Sequence, residues 1–269
     1  MLRHLITALI CLMSIAQADI VTIWAKGVNA DGGWRDFDKK FDGSDDEQCW
    51  AITAGNLIDW WQTQNADKLP ANTPQGRAVV QAFMQSFTNA GSDPDEGIRW
   101  WFTGEYSPGR SDCAARREGA AGAYLKSVFP TTSAPPVTLL TTLREPQTTA
   151  DLTAATLING AKCGAAFWIG VSYQSPSGRA AQHSLNVWGV TYDASDPTTS
   201  HICGIWIADS DDHKIGLTYV PLKEDKGMLI FNSPDHPIYG RMPRIVIDTI
   251  STLKPSISDH SISDYCSGN

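Results

Sequence analysis

Apolar residues at Trp50, Ala54, Leu57, Ile58 and Trp61 recur at intervals of four, three, one and three, and predict a helix running on from Cys49 with one buried face. In "NTPQGRAVVQAFMQSF" the stripe Val79, Val80, Phe83, Met84 and Phe87 predicts a second helix, with Thr73 as its cap, Pro74 in its first turn and Gly91 at its end. Shorter helical patterns cover Ile98 to Phe102, Ala114 to Val128 and Asp151 to Asn159, and the Pro/Thr/Ser stretch from Pro130 to Thr142 separates two halves. Beyond it the period changes to that of strands in "CGAAFWIGVSY", "HSLNVWGVTYD", "HICGIWIAD", "IGLTYVPL" and "RIVIDTI". A short β-branched strand, Ile20 to Trp24, and a Gly/Asp-rich loop, Val28 to Gly43, precede everything else. Helices dominate the first half and strands the second, so the pattern predicts an α+β chain: a helix-rich lobe over about 44–130 and a strand-rich lobe over about 160–255.

The first eighteen residues, "MLRHLITALICLMSIAQA", combine a basic start, an apolar stretch and a small-x-small ending. They read as a secretory signal, too short to span a membrane, and place the mature chain, 19–269, in an extracellular or periplasmic compartment. Without Arg3 the mature chain carries 20 Lys+Arg against 29 Asp+Glu. Such a surface repels phosphate backbones, which argues against nucleic acid as a partner. No other apolar run is long enough for a membrane span.

Five cysteines remain after signal removal: Cys49, Cys113, Cys163, Cys203 and Cys266. In an oxidising compartment an odd count leaves one thiol unpaired. With Cys49 as that thiol, the other four are expected to form two disulfides in one of three connectivities. A cysteine opening a helix is by itself more often packed or bridged than nucleophilic. Of the five mature histidines only His183 opens a strong strand 134 residues downstream, the separation found in papain-like proteases. If 183–192 and 201–209 pair antiparallel about residue 196, His183 faces Asp209, with Asp211 two residues on. Cys, His and Asp then converge from three segments, the set that activates a thiol nucleophile.

The acidic "DSDDHK" at 209–214 lacks the Gly and distal Glu of an EF-hand loop, so no metal is expected there. Where the first helix begins is open between a capping box of Ser44 with Glu47 and a cap at Asp45 or Asp46. Most of the ten Trp belong to the core, although the pairs Trp60–Trp61 and Trp100–Trp101 are candidates to line a peptide cleft.

"TIWAKGV" at 22–28, "KKFDGSDDEQCWAITAGNLIDWWQTQN" at 39–65, "HSLNVWGVTYD" at 183–193 and "IADSD" at 207–211 together resemble the streptococcal immunoglobulin-G-degrading (IdeS/Mac-type) cysteine endopeptidases. The matching blocks cover about a fifth of the chain, in the family's order. The resemblance implies a papain-like fold, with a helical lobe and an antiparallel β lobe flanking an active-site cleft. It also implies cleavage of a host protein, immunoglobulin G in the family, without a cofactor. Position by position it implies Cys49 as nucleophile, His183 as base, Asp209 as the acid that orients the imidazole, Asp211 as a second acid and Lys39 as a contributor to oxyanion binding. Two features depart from the family: Trp50 follows the nucleophile where a Gly is usual, and four further cysteines are present. Both bear on substrate choice. A Cys-His-Asp deamidase, a transglutaminase-like acyl transferase and a non-catalytic secreted binding protein remain open alternatives.

Overall fold

The computed structural model describes residues 18–40, 42–108, 113–128, 139–175, 178–195, 201–237 and 239–255. The expected signal segment, most of the Pro130–Thr142 stretch, Cys11 and Cys266 lie outside them. Eight strands are described: β1 (Ile20–Trp24), β2 (Leu140–Arg144), β3 (Ala166–Gln174), β4 (Ala180–Asp193), β5 (Ile202–Ala208), β6 (Thr218–Asp225), β7 (Met228–Phe231) and β8 (Val246–Leu253). The described α-helices are α1 (Cys49–Gln64), α2 (Arg77–Ser86), α3 (Pro94–Thr103) and α4 (Ala150–Lys162).

Six strands close on themselves in the order β4-β3-β8-β7-β6-β5, every neighbouring pair antiparallel, with β5 returning to β4. β1 adds to β4 and β2 to β8 outside the ring. This closed barrel with two extra strands corrects the papain-like expectation of a helical lobe and a β lobe facing each other across a cleft. Alternation along a strand is satisfied equally by an open sheet and by a closed one. The β4–β5 hairpin is the one the sequence suggested, and closure is decided by a pairing that no local pattern records, β8 returning to β3.

Two apolar clusters share the work of holding the molecule. Phe167, Ile169 and Val171 of β3, Leu185 and Val187 of β4, Ile205 and Ile207 of β5, Val220 of β6, Leu229 of β7 and Ile247 of β8 meet in one cluster. Only the lumen lets all six strands contribute to one cluster, and α4 adds Leu157 and Ile158 to it. The alternate residues Ala166, Trp168 and Trp188 point the other way, into a cluster shared with α1, α2 and α3.

Against that outer wall α1 is buried on every side from Trp50 to Gln62, where the apolar spacing alone suggested one face. It is a core helix whose buried residues include the polar Thr53, Asn56, Asp59 and Gln62. Thr53 Oγ1 donates to the Ser184 carbonyl at 3.0 Å, and the Asn56 and Asn186 amides bond at 2.9 Å, which locks α1 onto β4. A Cβ on Gly55 would meet Val80 Cγ2 at 2.7 Å, so the α1–α2 crossing depends on that glycine.

Several local expectations change. α2 begins at Arg77 behind Gly76, not at a Thr73 cap, and it stops at Ser86, before Gly91. The described residues of 113–128 hold turns and a bridge in place of a helix. Gly119 and Ala123 have positive φ there, and Gly122 lies under the Trp100 indole with no room for a Cβ. Trp60, Trp61, Trp100 and Trp101 are fully buried, so neither pair lines a cleft. β2 and β7 carried no clear strand signal in the sequence. Cys113 and Cys203 are free thiols, which overturns the expectation of two disulfides among the four other cysteines. Cys163 is disulfide-bonded, and no complete pair lies among the described residues.

Candidate active site

The approach to α1 is built by a turn. The Gln48 N–H donates to the Asp45 carbonyl at 2.9 Å, and Asp45, itself buried, accepts the Lys40 N–H at 2.9 Å. The helix then opens at Cys49 with Gln48 as N-cap and without a side-chain cap, so neither Ser44, Asp45 nor Asp46 caps it. Cys49 therefore holds the first helical position, where unpaired N–H groups favour negative charge. The Gln48 side chain donates to the Thr88 carbonyl at 3.2 Å, which takes it out of the site.

His183 and Asp209 share the lumen-facing parity of Leu185 and Val187 on β4 and of Ile205 and Ile207 on β5. Both sit beyond the packed lumen, at the rim of the barrel. The β4–β5 register differs from a fold-back about residue 196. Asn186 pairs with Ala208, two residues further than that centre allows, and the ladder carries two irregularities. The side chains nonetheless meet: His183 Nε2 lies 2.7 Å from Asp209 Oδ1, both groups buried. With Nε2 engaged by Asp209, Nδ1 is left for the thiol of Cys49, which is hydrogen-bonded to the His183 side chain.

The electrostatics follow from that geometry. Burial pushes the Cys49 thiol up, but the His183 hydrogen bond and charge, the Lys39 ammonium and the Ser184 N–H outweigh it and lower its pKa. Burial likewise opposes a charged His183, and Asp209 together with Cys49 raises its pKa well above the ordinary imidazole range. Asp209 is pushed up by burial but held down at about 2 by His183, by Tyr239 and by the Asp211 N–H. Thiolate and imidazolium are thus the favoured pair, with a carboxylate behind them.

Lys39 is buried, 7 % exposed, in the loop ahead of α1. Its own N–H bonds to the Ser210 carbonyl at 3.1 Å, tying this loop to the segment after β5. Its ammonium lies 2.7 Å from Asp211 Oδ1 and also donates to the Asp46 carbonyl. Asp211 is half-exposed and stands 4.0 Å from His183 Nδ1. The structure thus brings Cys49, His183, Asp209, Asp211 and Lys39 into one site, from the start of one helix, the ends of two strands and one loop.

Sequence reasoning missed Tyr239, on the 3₁₀ turn Tyr239–Arg241, whose hydroxyl donates to Asp209 Oδ2. It lies between β7 and β8 with no periodic pattern around it. It also missed Asp36 and Asp38, beside the site. Burial first, then neighbouring acids, raises Asp36 to about 7 and Asp38 to about 6. The single signal in the chain was their density of Asp residues.

His183, Asp209 and Asp211 also bring three ligand atoms within 4.8 Å of one another. Lys39 already occupies Asp211 with a positive charge, and Asp209 is engaged by His183 and Tyr239, a donor set that suits proton transfer better than a cation. No helix among the described residues is long and apolar enough to cross a membrane. No protein-family model matches this chain, and no curated protein matches it.

Proposed function

We propose that the chain is a cysteine endopeptidase working through Cys49, His183 and Asp209. The observation that carries this reading is the continuous hydrogen-bonded line from the half-buried Cys49 thiol through His183 to Asp209. The order is nucleophile, base and orienting acid. The resemblance of the blocks around Cys49, His183 and Asp209 to immunoglobulin-G-degrading endopeptidases points to a protein substrate, immunoglobulin among the candidates, met outside the cell.

In this mechanism the Cys49 thiolate attacks a peptide carbonyl, and the new carbon–sulfur bond leaves a tetrahedral oxyanion. The N–H groups of the first turn of α1 and the Lys39 ammonium stabilise it. Both Asp211 oxygens and the Asp46 carbonyl hold the Lys39 ammonium in place, so it faces the developing oxyanion as a fixed positive charge. His183 gives its Nδ1 proton to the leaving amine as the peptide bond breaks. Water then attacks the thioester, passes a proton to His183, releases the carboxylic acid and restores the thiolate–imidazolium pair.

The test is incubation of the purified mature chain with immunoglobulin G and a mixed set of host proteins, followed by gel and mass analysis. New termini that vanish with Cys49→Ala support the reading. A mass change of about one dalton without chain cleavage marks deamidation, and crosslinks mark acyl transfer; either would replace hydrolysis of peptide bonds. An effect on the partner protein that survives Cys49→Ala would mark a binding protein.

A further inference from the structure

The carboxylate behind His183 is held by more than the imidazole. Asp209 Oδ1 faces His183 Nε2 and accepts the Asp211 N–H at 2.9 Å, and its other oxygen, Oδ2, accepts the Tyr239 hydroxyl. That phenol is fixed in turn. Its ring stacks on His236 with centroids 4.4 Å apart, and Phe231 meets it edge-on at 5.3 Å. Its N–H donates to His236 Nδ1 at 3.1 Å, which sets the turn that carries it.

Burial and the Asp209 charge raise the phenol's pKa well above its ordinary value, so it stays protonated as a donor. A buried carboxylate with three fixed donors has one orientation and keeps its charge. From this geometry we infer that Tyr239 is a positioning residue for the Cys49–His183 pair, acting through Asp209. The inference rests on the proposed Cys-His-Asp site and adds a fourth member to it. The competing account is structural: the hydroxyl merely satisfies a buried oxygen and leaves the thiol indifferent.

The two accounts differ in what the thiol feels. Without the hydroxyl, the Asp209 carboxylate is less firmly oriented toward His183 Nε2 and supports the imidazolium less, so the thiolate forms at higher pH. The experiment is the rate of Cys49 alkylation by iodoacetamide from pH 3 to 9, resolved by peptide mass, for the full mature chain and for Tyr239→Phe. The acid limb should move up by about one pH unit, about a tenfold slower reaction at a pH on that limb. In an Asp209→Asn background the same change should add nothing, because its route is gone. A profile coincident with the parent, or an equal shift in the Asp209→Asn background, would overturn the inference. If Tyr239→Phe does not fold, His236→Asn serves in its place. It keeps an acceptor for the Tyr239 N–H but removes the stacked ring, and it should give a smaller shift of the same sign; no shift overturns the inference. Alkylation needs no substrate, so a chain that cleaves no protein still reports on Tyr239.

Discussion

At the scale of single residues, the three free thiols among the described residues differ in their surroundings. Cys49 has an imidazolium and an ammonium beside it, whereas burial raises the Cys203 thiol. Iodoacetamide is therefore expected to modify Cys49 well below the ordinary thiol range of about 8.5, and Cys203 only in alkaline solution. Peptide-resolved alkylation rates across pH check this, and equal profiles would remove Cys49 as an activated nucleophile. The two acids also separate. Asp209 is buried and bonded to His183, whereas Asp211 is half-exposed and bonded to Lys39. Asp209→Asn should lower turnover by about a hundredfold or more through a misplaced imidazole. Asp211→Asn should cost less, and kcat on a cleaved substrate decides between them. Lys39→Ala should lower kcat by about a hundredfold with little change in KM, as loss of a group acting in the transition state does. Lys40, exposed beside it, should tolerate Ala, and equal small effects at both positions would remove Lys39 from the mechanism.

At the scale of elements, the site depends on two loops that meet over the barrel rim. Lys39 N–H bonds to the Ser210 carbonyl, and Asp36 Oδ2 accepts the Gly216 N–H at 2.7 Å. Asp36 Oδ1 and Asp38 Oδ1 are buried without a partner among the described residues. Desolvation accordingly raises both acids, Asp36 to about 7 and Asp38 to about 6. Raised carboxyls bind protons more tightly in the folded chain than in the unfolded one. Their stabilisation is fully present below the ordinary carboxylate value of about 3.9 and is lost as pH rises through about 6 and 7. Asp36→Asn keeps an acceptor for Gly216 and removes the charge. It should raise Tm at pH 8, raise it less at pH 5 and flatten the dependence between them. Thermal melts across that range test it, and a lowered Tm at pH 8 would show that the ionised form is the stabilising one.

At the scale of the whole molecule, one buried acid joins the helical layer to the barrel. Asp95 on α3 accepts the Trp168 indole N–H at 2.7 Å and the Ser251 hydroxyl at 2.8 Å through Oδ1, and the Thr142 hydroxyl at 2.6 Å through Oδ2. These partners belong to β3, β8 and β2. Asp95→Ala leaves the buried Trp168 N–H and one of the two hydroxyls without an acceptor, the other being able to donate across the 3.0 Å Thr142–Ser251 contact, and a loss of about 3 kcal/mol follows from the usual cost of such groups. In a chain of this size that lowers Tm by roughly 6–12 °C. Because the helices and the barrel share the Trp50–Trp168–Trp188 cluster, the melt should remain one transition, and two separated transitions would show that they unfold independently.

The sequence by itself determined the local elements whose period is strong: α1 after Cys49, and the strands around Trp168, His183 and Ile205. The assumed hairpin about residue 196 also set His183 opposite Asp209, and residues opposite each other in a ladder share a face. The sequence could place the three residues of the proposed triad near one another even though the assumed hairpin register was off by two, because Asp209 lies past the paired ladder and reaches His183 by side chain. What only the tertiary structure decided is closure. β8 returns to β3, and α1, α2 and α3 pack on the outside of a ring where the resemblance implied a facing lobe. That pairing joins segments tens of residues apart, and its stabilisation comes from a lumen that exists only once all six strands have met. Tyr239 belongs to the same category, a residue with no pattern in its neighbourhood that the closed barrel delivers to Asp209.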